Sequence, residues 1–199
     1  MAAINVLVLG NDPFINAINF DKLDPRVITL GVNRIWLKHI PDYFFFNDTP
    51  IITELNKNPG ALDQLKKQSF CFSSDWLGFK DKSVIPDWTA IYDRLYPTGI
   101  PDSVTTAISI FSKDLSANRD VTFYIAGVSL KWQEPSHFWK TTQHDSLNRH
   151  GQDWYTPRFE AILKNFDRLK SSGIKMVSVT PNSMLNKVMR YEKIENFYV

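Results

Sequence analysis

The sequence has one cysteine, Cys71, which excludes an internal disulfide and a multi-cysteine zinc site. Placed in Phe70-Cys71-Phe72, it reads as a core thiol. Long hydrophobic runs are missing too. Ile4 to Leu9 is too short for a membrane span or a signal core and has no basic leader, so a cytoplasmic protein is expected. Charge of one sign is scarce: 23 basic against 21 acidic residues leave a formal net charge of +2, without the clustered basic face that nucleic acid demands. Lys66-Lys67 and Lys80-Asp81-Lys82 read as solvated surface. Gly10 is not followed by the further glycines of a dinucleotide fingerprint, and no GxxxxGK[ST] loop exists. No Asp-x-Asp pair follows a strand. Asp42 and Asp48 straddle one and read as surface or cap residues, so no metal site is expected.

What is present points to one α/β domain over 1–199. Ile4 to Leu9, rich in β-branched residues and ended by Gly10, reads as a buried strand. Val27 to Val32 and Tyr43 to Phe46 follow as strands, with a short helix predicted between Phe14 and Phe20. A helix from Thr49 or Pro50 runs through Leu55, Pro59-Gly60 is a break, and 61–67 is helical before a strand from Ser69 to Phe72. Residues 73–101 read as loop and short elements. Helical spacing returns from Ser103 to Leu115, with Asp102 or Ser103 as cap. Val121 to Ala126 is a strand, residues 128–156 form a polar and aromatic lid-like loop, and 157–171 is an amphipathic helix closed by Gly173. Ile174 to Val179 is the last strand. The alternation predicts a doubly wound, mostly parallel, Rossmann-like sheet with right-handed crossovers.

Such sheets bind ligands outside the carboxyl ends of their strands. The residues there are informative. Asn11, Asn33, Asn47, Ser103 and Asn182 each follow an apolar strand or open a helix, and in this architecture they gather on one rim. Each can also be an ordinary turn or cap. Together, carboxamides can read a base edge, a ribose and a phosphate without a metal. Exposed amides at the helix starts after Pro13 or at Ser103 would favour a phosphate. For a general base, His137, His144 and His150 lie in the long loop among Trp139, Trp154 and Tyr155, whereas His39 looks structural.

These residues resemble the bacterial lipooligosaccharide sialyltransferase family and its uncharacterised relatives. That family's opening Gly-Asn-Gly-Pro-Ser turn is similar to Gly10-Asn11-Asp12-Pro13-Phe14. Its Asn closing the second strand is matched by Val32-Asn33-Arg34, and its Tyr-Asn-Pro stretch by Phe46-Asn47-Asp48. A Thr-Ser-Gly helix start corresponds to Asp102-Ser103-Val104, Ser-Gly-Ile-Asp to Ala126-Gly127-Val128-Ser129, and Cys-Pro-Asn-Ser to Thr180-Pro181-Asn182-Ser183.

The resemblance implies a glycosyltransferase A-type variant fold and a nucleotide-sugar donor, commonly a CMP-sugar. Gly10, Asn11, Asp12, Asn33, Asn47, Ser103, Ser129, Lys131 and Asn182 would surround that donor. A loop histidine, His150 first and His144 second, would deprotonate the acceptor. Departures stand out: Asp12 and Phe14 replace a glycine and a serine, and Ser129 and Lys131 replace an Asp and a Tyr. Lys131 would supply phosphate charge in place of a tyrosine hydroxyl, and the family's basic tail is absent.

The activity implied is metal-independent sugar transfer, with no cofactor beyond the co-substrate. The acceptor hydroxyl would sit on a glycan or on a hydroxylated base of nucleic acid. The alternatives are a non-catalytic nucleotide-sugar or interaction module and a pterin-type pyrophosphokinase, the latter needing paired carboxylates for Mg²⁺. Aromatics in 73–101 would suit a lid or a subunit contact in an oligomer.

Overall fold

The computed structural model describes residues 3–74, 93–96, 102–116, 119–132, 137–138 and 152–199. One sheet holds seven strands: β1 (Ile4–Leu9), β2 (Ile28–Val32), β3 (Tyr43–Phe46), β4 (Phe70–Ser74), β5 (Arg94–Tyr96), β6 (Val121–Ala126) and β7 (Lys175–Ser178). Their order is β5-β4-β3-β2-β1-β6-β7, and every pair is parallel. The chain winds outward from β1 to β5, then returns to the other side of β1 for β6 and β7. That reversal makes the gap between β1 and β6 the switch point, where the two connections diverge and leave a crevice.

Parallel strands are covered on both faces, which is why they read as unbroken apolar runs. Val6 to Leu9 and Phe44 to Phe46 have no exposed surface. Alternation splits them between two cores. Leu7, Leu9, Phe44 and Phe46 pack with Ile51, Leu55 and Leu65 from α1 (Thr49–Asn56) and α2 (Pro59–Gln68). Val6, Val8, Phe45 and Phe72 pack with Ala107 and Phe166 from α3 (Ser103–Ile110) and α4 (Gln152–Ser171). The phenylalanines of β3 are therefore core residues. Cys71 is buried in the first cluster, and burial pushes its thiol up to about 12.

Several local expectations change. The segment after Pro13 forms two 3-10 turns, Pro13–Ala17 and Phe20–Lys22, in place of one helix. Pro59-Gly60 opens α2 instead of breaking the chain, since proline in a first turn loses no internal hydrogen bond. Within 73–101, β4 extends to Ser74 and Arg94–Tyr96 adds a strand too short to show periodicity; pairing with β4 creates it. Helix α3 continues as a π turn over Phe111–Leu115. Helix α4 begins at Gln152, so Pro157 is internal, and the hydrogen bond it forfeits lies on the exposed side. Its first turns therefore belong to a helix, not to the predicted loop.

His39, half-buried, stacks on Phe20 with ring centroids 4.4 Å apart and planes 8° from parallel. Burial holds its pKa below the ordinary histidine range, and Asp42 and Asp21 oppose this more weakly. The unfolded chain therefore takes up a proton at higher pH than the native one does. The associated stability is complete above about pH 6.5, the unperturbed value, and is lost as pH falls through it toward the lower folded value. Urea midpoints should fall between about pH 7 and 5 more steeply in wild type than in His39→Phe, which keeps the stack. Identical slopes would count against this assignment.

Candidate active site

Asn33, Ser103 and Asn47 meet at the strand ends. Asn33 Nδ2 donates to Ser103 Oγ at 3.0 Å, and Ser103 Oγ donates to Asn47 Oδ1 at 2.8 Å. Each arrives from a different element. Asn33 leaves β2 with φ of 53°, a left-handed turn that asparagine tolerates. Asn47 follows the last phenylalanine of β3 and is buried. Ser103 opens α3, whose cap is Asp102.

Asp102 is more than a cap. Its carboxylate accepts from Thr105 N at 2.8 Å, from the Thr105 hydroxyl and from Asn165 Nδ2 at 2.9 Å, tying α3 to α4. Desolvation raises its pKa, and those hydrogen bonds pull it back. The amide expected to greet a phosphate at this helix start is thus engaged. The same holds after Pro13, because Asp12 Oδ1 accepts from Phe14 N at 2.9 Å. Asp12 is 9% exposed and acts as the cap of its turn.

At the switch point itself, Gly10 N donates to Ala126 O at 2.8 Å and Asp12 N to Gly127 O at 2.9 Å. Gly127 has φ of 69° and lies so near Ile15 that a Cβ would stand 2.6 Å from it. These contacts shape a cleft of about 460 Å³, lined among others by Asn11, Asp12, Asp48, Ser129, Lys131 and Arg158. Asn11 lines the cleft, and its Oδ1 is buried with no hydrogen-bond partner among the described residues. Tyr155 of α4 also lines the cleft, its ring close to those of Trp132, His137 and Phe159 at 5.7, 5.8 and 5.8 Å.

Part of the predicted lid is pinned in place. Phe138 N donates to Asn11 O at 3.0 Å, and Asn16 Nδ2 to Phe138 O at 3.3 Å, which sets His137 at the cleft wall. Leu130 adopts φ of 53°, unusual for a bulky residue, and the late turn braces it: Ser183 Oγ donates to Val128 O at 2.7 Å and Met184 N to Ser129 O at 2.8 Å. A second cavity of about 400 Å³ shares Leu130, Lys131 and Phe159 with the first.

Of the residues expected around a donor, Asn11, Asp12, Ser129 and Lys131 line the cleft. Asn33, Asn47 and Ser103 form the network at the strand ends, and Gly10 packs beneath. Asn182 does not line it. It is exposed, at φ of 55°, in the turn whose Ser183 does the bracing. His144, His150, Lys80-Asp81-Lys82 and most aromatics of 73–101 lie outside the described residues. Asp48, read from sequence as a cap or surface residue, makes no side-chain cap bond and faces the cleft. Arg158 and Tyr155 gave no local signal, because only the docking of α4 brings them in. Among the described residues, no helix is long and apolar enough to cross a membrane.

This is the class of α/β proteins with an all-parallel Rossmann-like sheet and a ligand crevice at a β1/β6 switch point. Within it the fold is that of a glycosyltransferase A-type variant, shared with bacterial sialyltransferases. Sialyltransferase CST-II, solved with a trisaccharide acceptor and CMP, superposes with TM-score 0.60 at 13% identity over 94% of this chain and 85% of its own. CstII of Campylobacter jejuni with cytidine-5'-monophosphate gives 0.57 at 12% identity, over 98% and 87%. The monofunctional α-2,3-sialyltransferase Cst-I of the same organism gives 0.55 at 13%, over 93% and 78%. No family model and no curated protein matches the sequence.

Proposed function

We propose that the chain is a glycosyltransferase that binds a nucleotide-activated sugar in the cleft and moves the sugar to an acceptor hydroxyl on a glycan, without a metal. The observation that carries this reading is the Asn33–Ser103–Asn47 network at the carboxyl ends of β2 and β3, whose chain neighbours Asp48 and Val104 line the cleft with Asn11. Carboxamides and a hydroxyl offer donors and acceptors to a ribose and a base, and Lys131 and Arg158, which line the cleft, would hold phosphate. The fold shared with enzymes solved with CMP supports the same donor class.

In the reaction the acceptor oxygen attacks the anomeric carbon, its proton passes to a loop histidine, and the nucleotide phosphate departs with the bonding electrons. His150, then His144, are the bases the family resemblance favours, and His137 is the loop histidine at the cleft wall. The aromatic group around Tyr155 offers faces for a sugar ring.

Calorimetry with CMP, UMP and GMP tests the binding step. One of them should bind, and Ser103→Ala should weaken it by about tenfold while lowering stability by only about 1 kcal/mol, the scale of one lost hydrogen bond. If no nucleotide binds, the reading is wrong. Hydrolysis of the bound donor in EDTA tests the metal-free chemistry, and single alanine variants at His137, His144 and His150 locate the base.

A further inference from the structure

Three helical starts face the cleft, at Pro13, Thr49 and Ser103, and each is preceded by an aspartate. Asp12 and Asp102 spend their carboxylates on the amides of their own turns. Asp48 does not. Helix α1 is started by the Asp48 carbonyl, which accepts from Ile51 N at 3.0 Å, while the side chain makes no cap bond and lines the cleft. Its charge suits the helix start even without a cap bond, and the same carboxylate is offered to the cleft.

Its surroundings narrow the choice. Asp48 is exposed and lines the cleft, and desolvation there raises its pKa despite Arg34 nearby. Arg34 does not neutralise it outright, since the guanidinium makes a two-armed bond to Glu54: Nε donates at 2.8 Å to Oε2, and Nη2 closes the second arm on Oε1. Two cations, Lys131 after β6 and Arg158 on α4, line the same cleft. The cleft therefore carries cations that favour a phosphate and, at Asp48, an exposed carboxylate. Asp48 also directly follows Asn47, so it adjoins the network proposed to hold the donor.

We propose that the sugar carried by the donor is uncharged, a neutral pentose or hexose, with Asp48 accepting hydrogen bonds from its hydroxyls and opposing a carboxylated sugar. This rests on the nucleotide-sugar reading and adds the class of sugar. A carboxylate brought within about 5 Å of Asp48 at an effective dielectric of 20–40 meets repulsion worth about tenfold or more in affinity, whereas a hydroxyl gains a charge-assisted hydrogen bond.

Matched donors test it on the full chain: UDP-glucose against UDP-glucuronate, and the methyl ester of CMP-sialic acid against CMP-sialic acid itself, by calorimetry in wild type and Asp48→Asn. The carboxylated member of the pair whose nucleotide is bound should be about tenfold or more weaker than its uncharged counterpart. In Asp48→Asn, which keeps the shape of the side chain, that gap should shrink to within about threefold. A carboxylated donor that binds as tightly as its counterpart in wild type overturns the proposal while leaving the nucleotide-sugar reading intact, and so does a gap unchanged by the substitution. Binding of neither nucleotides nor nucleotide-sugars overturns both. The wild-type comparison decides the matter even if the variant fails to fold.

Discussion

Gly10→Ala should lower stability by about 3 kcal/mol, the upper part of the range for overpacking a tight site, and Tm on the order of 10 °C for a chain of this size. A Cβ at Gly10 would stand 2.3 Å from the Gly127 carbonyl oxygen and 2.7 Å from Val128 Cγ2. The first obstacle is backbone, and it is already committed, because that carbonyl accepts from Asp12 N. Relief requires β1 and β6 to separate where Gly10 N bonds Ala126 O, so the mouth of the cleft opens with them. Gly60→Ala is the control of opposite sign. Nothing lies within 4 Å of a Cβ there, and in the first turn of α2 alanine should stabilise by about 0.5–1 kcal/mol. Thermal melts of the two variants against wild type check both. Unchanged melting of Gly10→Ala would refute the close approach.

Glu54→Leu should cost about 3–5 kcal/mol, because it removes the carboxylate from a buried ion pair and leaves the cation behind. The side chains of Arg34 and Glu54 are 12% and 8% exposed, so water cannot take over the lost partner. The pair joins the 3-10 turn Asn33–Leu37 to α1, and so holds Asn33 and Asp48 at their places on the rim. Urea denaturation reads the loss. The double variant Arg34→Met plus Glu54→Leu should recover most of it, since a matched apolar pair carries no desolvation penalty. If the double variant is no more stable than Glu54→Leu, the cost lies in packing and not in the stranded charge.

The parts of the site that were legible in the sequence are those determined by neighbours in the chain. An apolar run ended by Gly10, by Asn33 or by Asn47 marks a strand and its exit, whatever the rest of the protein does. Asp102 before Ser103-Val104-Thr105 marks a cap in the same way. Asp12 stands where the family has a glycine, and its carboxylate turns back to Phe14 N and closes a local turn. Asp48 read as a surface or cap residue, and it is an exposed residue at the start of α1 that makes no side-chain cap bond and lines the cleft. The same residue type before a helix thus took two roles, and local sequence does not separate them. Asn182 matched a motif and stands in a left-handed turn, but it is Ser183 that reaches the cleft wall, through Val128 O.

The sequence by itself determined the strands, the mostly parallel winding and the polar residues at the strand exits. These follow from periodicity, turn chemistry and right-handed crossovers, all of which act over a few residues or one βαβ unit. Only the tertiary structure decided the strand order, the short edge strand β5, the cleft wall supplied by α4, and which exits converge. Ser103 meets Asn33 across 70 positions and Asn47 across 56. Hydrogen bonds of that span depend on which strands lie side by side and on how α3 docks over them. Burying both faces of the sheet settles that arrangement, and no local propensity encodes it.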